Sequence, residues 1–126
     1  MKEDFTAAAR RHWKDAGLLD EGQRWENADH HYGFAAECAL KSALERMGFF
    51  RDDHRKHINV LWNKMQATAF QKRFPGLVGP LSGTNRFADW DVEQRYEADG
   101  AVTEEAMRAH KDCARRLLIA ANVYRG

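Results

Sequence analysis

The sequence predicts an all-helical bundle of four main helices, formed as one domain over residues 1–126. Three observations carry this. Apolar residues recur at spacings of three and four in four separate stretches, which is the period of one helix face. No stretch alternates apolar and polar residues as a half-buried strand does, and no internal repeat is present. Between Trp25 and Gly48 there is no proline and a single interior glycine, in a run dense in Ala, Leu, Glu and Lys. A chain of 126 residues can bury one core, and 44% hydrophobic with 31% charged residues is the profile of a soluble globular protein.

Residues 3–17 read as the first helix. Phe5, Ala8, Ala9, His12, Trp13 and Ala16 form its apolar side, with His12 packed there, and Gly17 ends the run. The short link to the next helix favours an antiparallel pair. The central helix, about 23 residues and roughly 35 Å long, follows from Trp25. Trp25, Ala28, Tyr32, Ala36, Ala39, Leu40, Ala43 and Met47 share one face; His30, Lys41 and Glu45 fall opposite, and Gly48 supplies the stop. The third helix starts near His57, with Asp53 or His54 as candidate caps. Its stripe is Ile58, Leu61, Trp62, Met65, Ala69 and Phe70. Residues 75–88 hold both prolines and three glycines and read as the longest irregular stretch. The D-W-D-V-E-Q-R-Y-E segment from Asp89 then docks on the core. The last helix has Thr103 as N-cap, Glu104 and Glu105 at its positive end, and an apolar face from Ala106 to Tyr124 that includes His110 and Cys113.

Several function classes are disfavoured. No run approaches the length of a membrane span. The N-terminus lacks an apolar signal core, so the expected location is cytoplasmic. There is no G-K-[ST] phosphate loop, no H-E-x-x-H and no paired-cysteine motif. Cys38 and Cys113 read as reduced, packed thiols. His30 and His31 diverge by roughly 100° on a helix, and His54 and His57 lack companion ligands, so no metal site and no cofactor are expected.

Net charge is +1, but its distribution is uneven. No acidic residue occurs from His54 to Ala88, whereas Asp89 to Glu105 is strongly acidic. This segregation either makes a phosphate-attracting surface or places two stretches that neutralise one another. Asp29, Gly33, Glu37 and Lys41 follow one i, i+4 ridge of the central helix. Glu37 and Lys41 suit an ion pair worth about 0.3–0.5 kcal/mol if exposed. Asp29 falls on the apolar side and requires a partner, with Arg95 or an arginine of a second subunit as candidates. The segment Arg51 to His57, R-D-D-H-R-K-H, is the densest cluster able to act on phosphodiesters: arginine stabilises phosphate charge and histidine moves a proton. A solvated, charge-rich helix start is the alternative.

Three segments, Y-G-F-A-A-E-C-A-L-K-S-A-L, K-H-I-N-V-L-W and W-D-V-E-Q-R-Y, together resemble the HEPN domain superfamily over roughly residues 5–120. The resemblance implies an up-and-down bundle of four to five helices, usually a homodimer. Its members range from metal-independent ribonuclease toxins to nucleotide-binding or partner-binding modules beside nucleotidyltransferases. The ribonuclease members carry arginine, a polar residue and, after a short interval, histidine, which Arg51, Asp52 and His57 match. In many of them this motif lies near the last helix, where this chain has Arg95 and Tyr96 and no histidine before His110. The expected function is binding of a nucleotide or RNA phosphate, within a toxin–antitoxin or nucleotidyltransferase-associated pair. Arg51 and His57 are the candidate catalytic residues, and His54, Arg55, Asp29, Glu37, Lys41, Arg95 and Tyr96 the candidate ligand contacts. An active metal-independent endoribonuclease is the alternative enzyme reading. A non-catalytic protein-interaction module, using Trp62, Trp90 and the glycine-rich stretch, is the third.

Overall fold

A computed structural model describes residues 4–46, 57–58, 61–62, 74–81, 85–88, 90 and 102–124. Every regular element among them is helical: α1 (Phe5–Glu21), α2 (Trp25–Arg46), a 3-10 turn (Pro75–Leu77) running into α3 (Val78–Leu81), and α4 (Glu104–Ala120). Ile58, Leu61 and Trp62 are helical and fully buried, which places the start of the predicted third helix in the core. Met47, Gly48, Met65, Ala69 and Phe70 lie outside the described residues. No described helix is long and apolar enough to cross a membrane.

α1 and α2 form an antiparallel hairpin. The Thr6 and Ser42 hydroxyls meet at 2.6 Å near one end, and the Trp13 and Tyr32 rings lie 5.2 Å apart further along. α4 lies on another side of α2 and runs parallel to it. Its beginning meets α2 through His110 and Asp29, and its end through the Arg46 guanidinium, which donates to the Ala121 carbonyl. Ala28, Ala35, Ala36, Ala39 and Ala43 have no exposed surface. Their small side chains let neighbours approach the α2 backbone closely.

α2 is covered more completely than its wheel predicts: 15 of its 22 residues are buried. His30 and Lys41, expected opposite the apolar face, are both among them. A second layer of chain packs on that side. Trp90 inserts beside Gly33, donating its indole N–H to the Asp29 carbonyl at 3.1 Å, and the Ile58 backbone N–H bonds Glu37 one turn further on. Both cysteines are buried free thiols, and burial pushes the Cys113 thiol up to about 11.

Three local expectations change. Gly17 sits inside α1, which continues to Glu21. The stop comes at Gln23, whose φ of 60° allows Arg24 N–H to reach the Leu19 carbonyl at 2.8 Å. The start of the 75–88 stretch is helical, not irregular. Pro75 and Pro80 fall in first turns, where the missing N–H has no intrahelical acceptor to lose, and Phe74, Leu77 and Leu81 are buried at helical spacing. Trp62 and Trp90 are core residues with at most 1% exposure, so neither offers an interaction surface. The Thr103 cap holds as expected, its hydroxyl accepting from Ala106 N–H at 3.1 Å.

A Cβ on Gly33 would overlap the six-membered and pyrrole edges of the Trp90 indole, whereas one on Gly17 meets nothing within 4 Å. Chemical denaturation of Gly33→Ala should therefore show a loss of about 1–3 kcal/mol despite the better helix former. Gly17→Ala should gain up to about 1 kcal/mol. Gln23→Gly, which relieves a left-handed non-glycine residue, should raise unfolding free energy by about 0.5–1 kcal/mol in the same assay.

Candidate functional site

The ridge Asp29–Gly33–Glu37–Lys41 organises the polar interior, each residue receiving a different piece of the chain. Glu37 is the most connected. Its side chain is 5% exposed, yet Oε1 accepts the Ile58 backbone N–H at 3.1 Å and faces His57 Nδ1 at 2.9 Å, while Oε2 accepts from Lys41 Nζ at 3.2 Å. Leu61 N–H bonds the His57 carbonyl at 3.1 Å, so His57 occupies the cap position of the helix that Ile58 begins. A capping oxygen comes from α2. Asp53 and His54, the sequence candidates for that role, lie outside the described residues.

This contact fixes the His57 ring. A carboxylate oxygen only accepts, so the Nδ1 facing Glu37 carries the proton and Nε2 is the other, proton-accepting nitrogen of the neutral ring. The His57 side chain is 51% exposed against 5% for Glu37. A half-exposed imidazole oriented from behind by a buried carboxylate is the arrangement that general acid–base chemistry and phosphate recognition both use.

Lys41 is drawn inward. Its ammonium lies between Glu37 and the Phe5 ring, 5.5 Å from the ring centroid, and its side chain is 8% exposed. The Glu37–Lys41 pair is therefore buried, and removing one partner costs about 3–5 kcal/mol, far more than the exposed pair expected from sequence. Asp29 finds its partner in His110, whose Nδ1 lies 2.5 Å from Oδ1. Both are nearly inaccessible, and Phe87 stacks on His110 at 5.0 Å with a 14° interplanar angle. Arg95, the expected partner, lies outside the described residues with Arg51, His54, Arg55 and Tyr96. Of the nine candidate site residues, the structure thus brings Glu37, Lys41 and His57 together and places Asp29 in a separate buried pair.

Two further clusters escaped the sequence reading. Asp20 collects Arg108 at 2.7 Å, Lys111 at 3.2 Å and the Tyr32 hydroxyl at 3.3 Å. Burial pushes the Asp20 carboxyl up, but the hydrogen bonds from Arg108 and Lys111 outweigh it and hold it below the usual carboxylate range. Burial, reinforced by Asp20, raises the Tyr32 phenol, and the Asp20 hydrogen bond raises the Arg108 guanidinium. At the α1–α2 seam, His12 Nδ1 lies 3.0 Å from His31 Nδ1. Burial, with the nearby His31 and Arg11, lowers the His12 imidazole to about 4. His110 was legible as a polar residue inside an apolar stripe; the His12–His31 meeting depends on the register of two helices and left no local signal.

No protein-family model, curated protein or solved structure matches this chain.

The two titrations above set the acid stability. A folded-state His12 near 4, against about 6.5 in the unfolded chain, means that the unfolded state binds more protons between those values. Unfolding free energy should fall as pH drops from about 6.5 to 4 and level off below, and Asp20 should add a further loss as pH falls through its depressed value. Urea titrations across this range check it, with His12→Gln flattening the slope above pH 4.

Proposed function

We propose that this chain is a HEPN-like helical protein that binds the phosphate of a nucleotide or of RNA at the start of the helix headed by His57. The observation that carries the reading is the Glu37–His57 contact: a buried carboxylate, itself held by Lys41 and the Ile58 N–H, aims an exposed imidazole outward. Glu37 already caps the helix through the Ile58 backbone. A phosphate oxygen meets Nε2–H when the ring is protonated; a hydroxyl proton is accepted there when it is neutral.

The same geometry favours a second reading, a metal-independent endoribonuclease. His57 would take the proton of a ribose 2′-hydroxyl as it attacks the adjacent phosphorus; the P–O5′ bond breaks, leaving a 2′,3′-cyclic phosphate, and the departing 5′-oxygen takes a proton from water. Glu37 would hold the ring and Arg51 would stabilise the charge growing on phosphate. Homodimer formation would bring two such sites into one cleft, and an antitoxin or nucleotidyltransferase would be the protein partner. An apolar interaction module has less support. Among the described residues only Leu18 and Ile119 are large exposed hydrophobics.

Labelled single-stranded RNA and nucleotides titrated into the protein in EDTA separate these readings. Binding is expected for the wild type and should weaken about tenfold in His57→Ala, the loss of one charge-assisted hydrogen bond. If cleavage accompanies binding, His57→Ala should slow it about 10²–10⁴-fold, and Glu37→Gln should slow it with RNA affinity largely retained. Wild-type protein that binds neither RNA nor nucleotides overturns the proposal.

A further inference from the structure

The cross-helix imidazole pair at the α1–α2 seam has no part in the site around Glu37. We propose that His12 and His31 form a two-nitrogen binding site for one divalent transition-metal ion of the copper(II) type, with water completing its coordination.

The separation of the two nitrogens selects the geometry. With metal–nitrogen distances of about 2.05 Å, a 3.0 Å separation subtends roughly 94° at the metal, close to the right angle between neighbouring ligands of a square-planar or octahedral ion. A tetrahedral ion would need the nitrogens about 3.3 Å apart. The ring centroids lie 5.2 Å apart, so in the metal-free protein the Nδ1 atoms point nearly at one another and one proton bridges them. For the ion to enter, the ring that carries the bridging proton takes its other tautomer, with that proton on Nε2, so that both Nδ1 lone pairs face the ion.

Metal binding requires unprotonated imidazole. Asp15, one turn along α1, favours positive charge at the His12 ring, whereas Arg11 and His30 oppose it. Both rings are half-buried. Phe34 backs His12 at 5.3 Å and closes the inner side. No group of three or more His, Cys, Asp or Glu is gathered for a metal among the described residues. Among the described residues the set is therefore two protein nitrogens, completed by water, and of the first-row ions copper(II) binds such a set most strongly.

The test is titration of the full chain with copper(II) chloride at neutral pH, read by electron paramagnetic resonance and by thermal unfolding. One equivalent should give a single tetragonal species with splitting from two nitrogens, and should raise the unfolding temperature because the ion joins two helices. His12→Gln and His31→Gln should each weaken binding by more than about tenfold. The double variant should be no weaker than either alone, because chelation needs both rings. In the wild type, independently of how the variants fold, copper should broaden the His12 and His31 side-chain NMR resonances first. No binding, a single variant that keeps wild-type affinity, or first broadening at other histidines overturns the proposal.

Discussion

A carboxylate hidden inside a helical bundle is costly, and the arrangement of this protein follows from how Glu37 is accommodated. Taking such a group out of water costs several kcal/mol unless donors replace the lost solvent. Glu37 receives donors from its own helix through Lys41, from the backbone through Ile58 and from a side chain through His57. Two of the three belong to a segment some twenty positions later in the chain. The carboxylate thus acts as the anchor on which the start of the third helix is set, and it fixes the direction of the His57 ring.

The alanine content of α2 makes this possible. Small residues on α2 let α1 and α4 come close, while its polar ridge meets α4 at Asp29 and the start of the third helix at Glu37. Gly33 is the extreme case, where absence of a side chain makes room for an indole. Trp90 then bonds the Asp29 carbonyl and stacks against His30 at 5.6 Å, so that one aromatic residue covers a full turn of the central helix. Close approach and polar pairing are two results of the same packing.

Much of this was readable from periodicity alone. The start of α4, its Thr103 cap and its buried face were plain, because a polar cap, acidic first turn and three–four spacing all agree. The ridge through Asp29 and Glu37 was also legible, since a charged residue at a core position demands a partner. Lys41 was legible as a partner of Glu37, four residues on, but the others were not. His110 for Asp29, and Ile58 N–H with His57 for Glu37, depend on how helices distant in sequence align, which spacing within one helix does not encode. The end of α1 was missed for a different reason: a glycine at 17 offered the usual stop, while the chain turns at a glutamine that pays a conformational cost. Pro75 and Pro80 misled in the opposite direction, since proline breaks a helix interior but suits its first turn.

The parallel course of α2 and α4 carries a kinetic consequence. Arg46 and Ala121 meet at one end while Asp29 and His110 meet at the other, so the intervening chain must travel back along the molecule before α4 can seat. The α1–α2 hairpin closes over a three-residue link and needs no such excursion. Local contacts form ahead of distant ones because less chain entropy is lost. Folding is accordingly ordered: the hairpin presents an uncovered Asp29 and Glu37 to water first, and the arrival of His110 desolvates Asp29 only when the last helix docks.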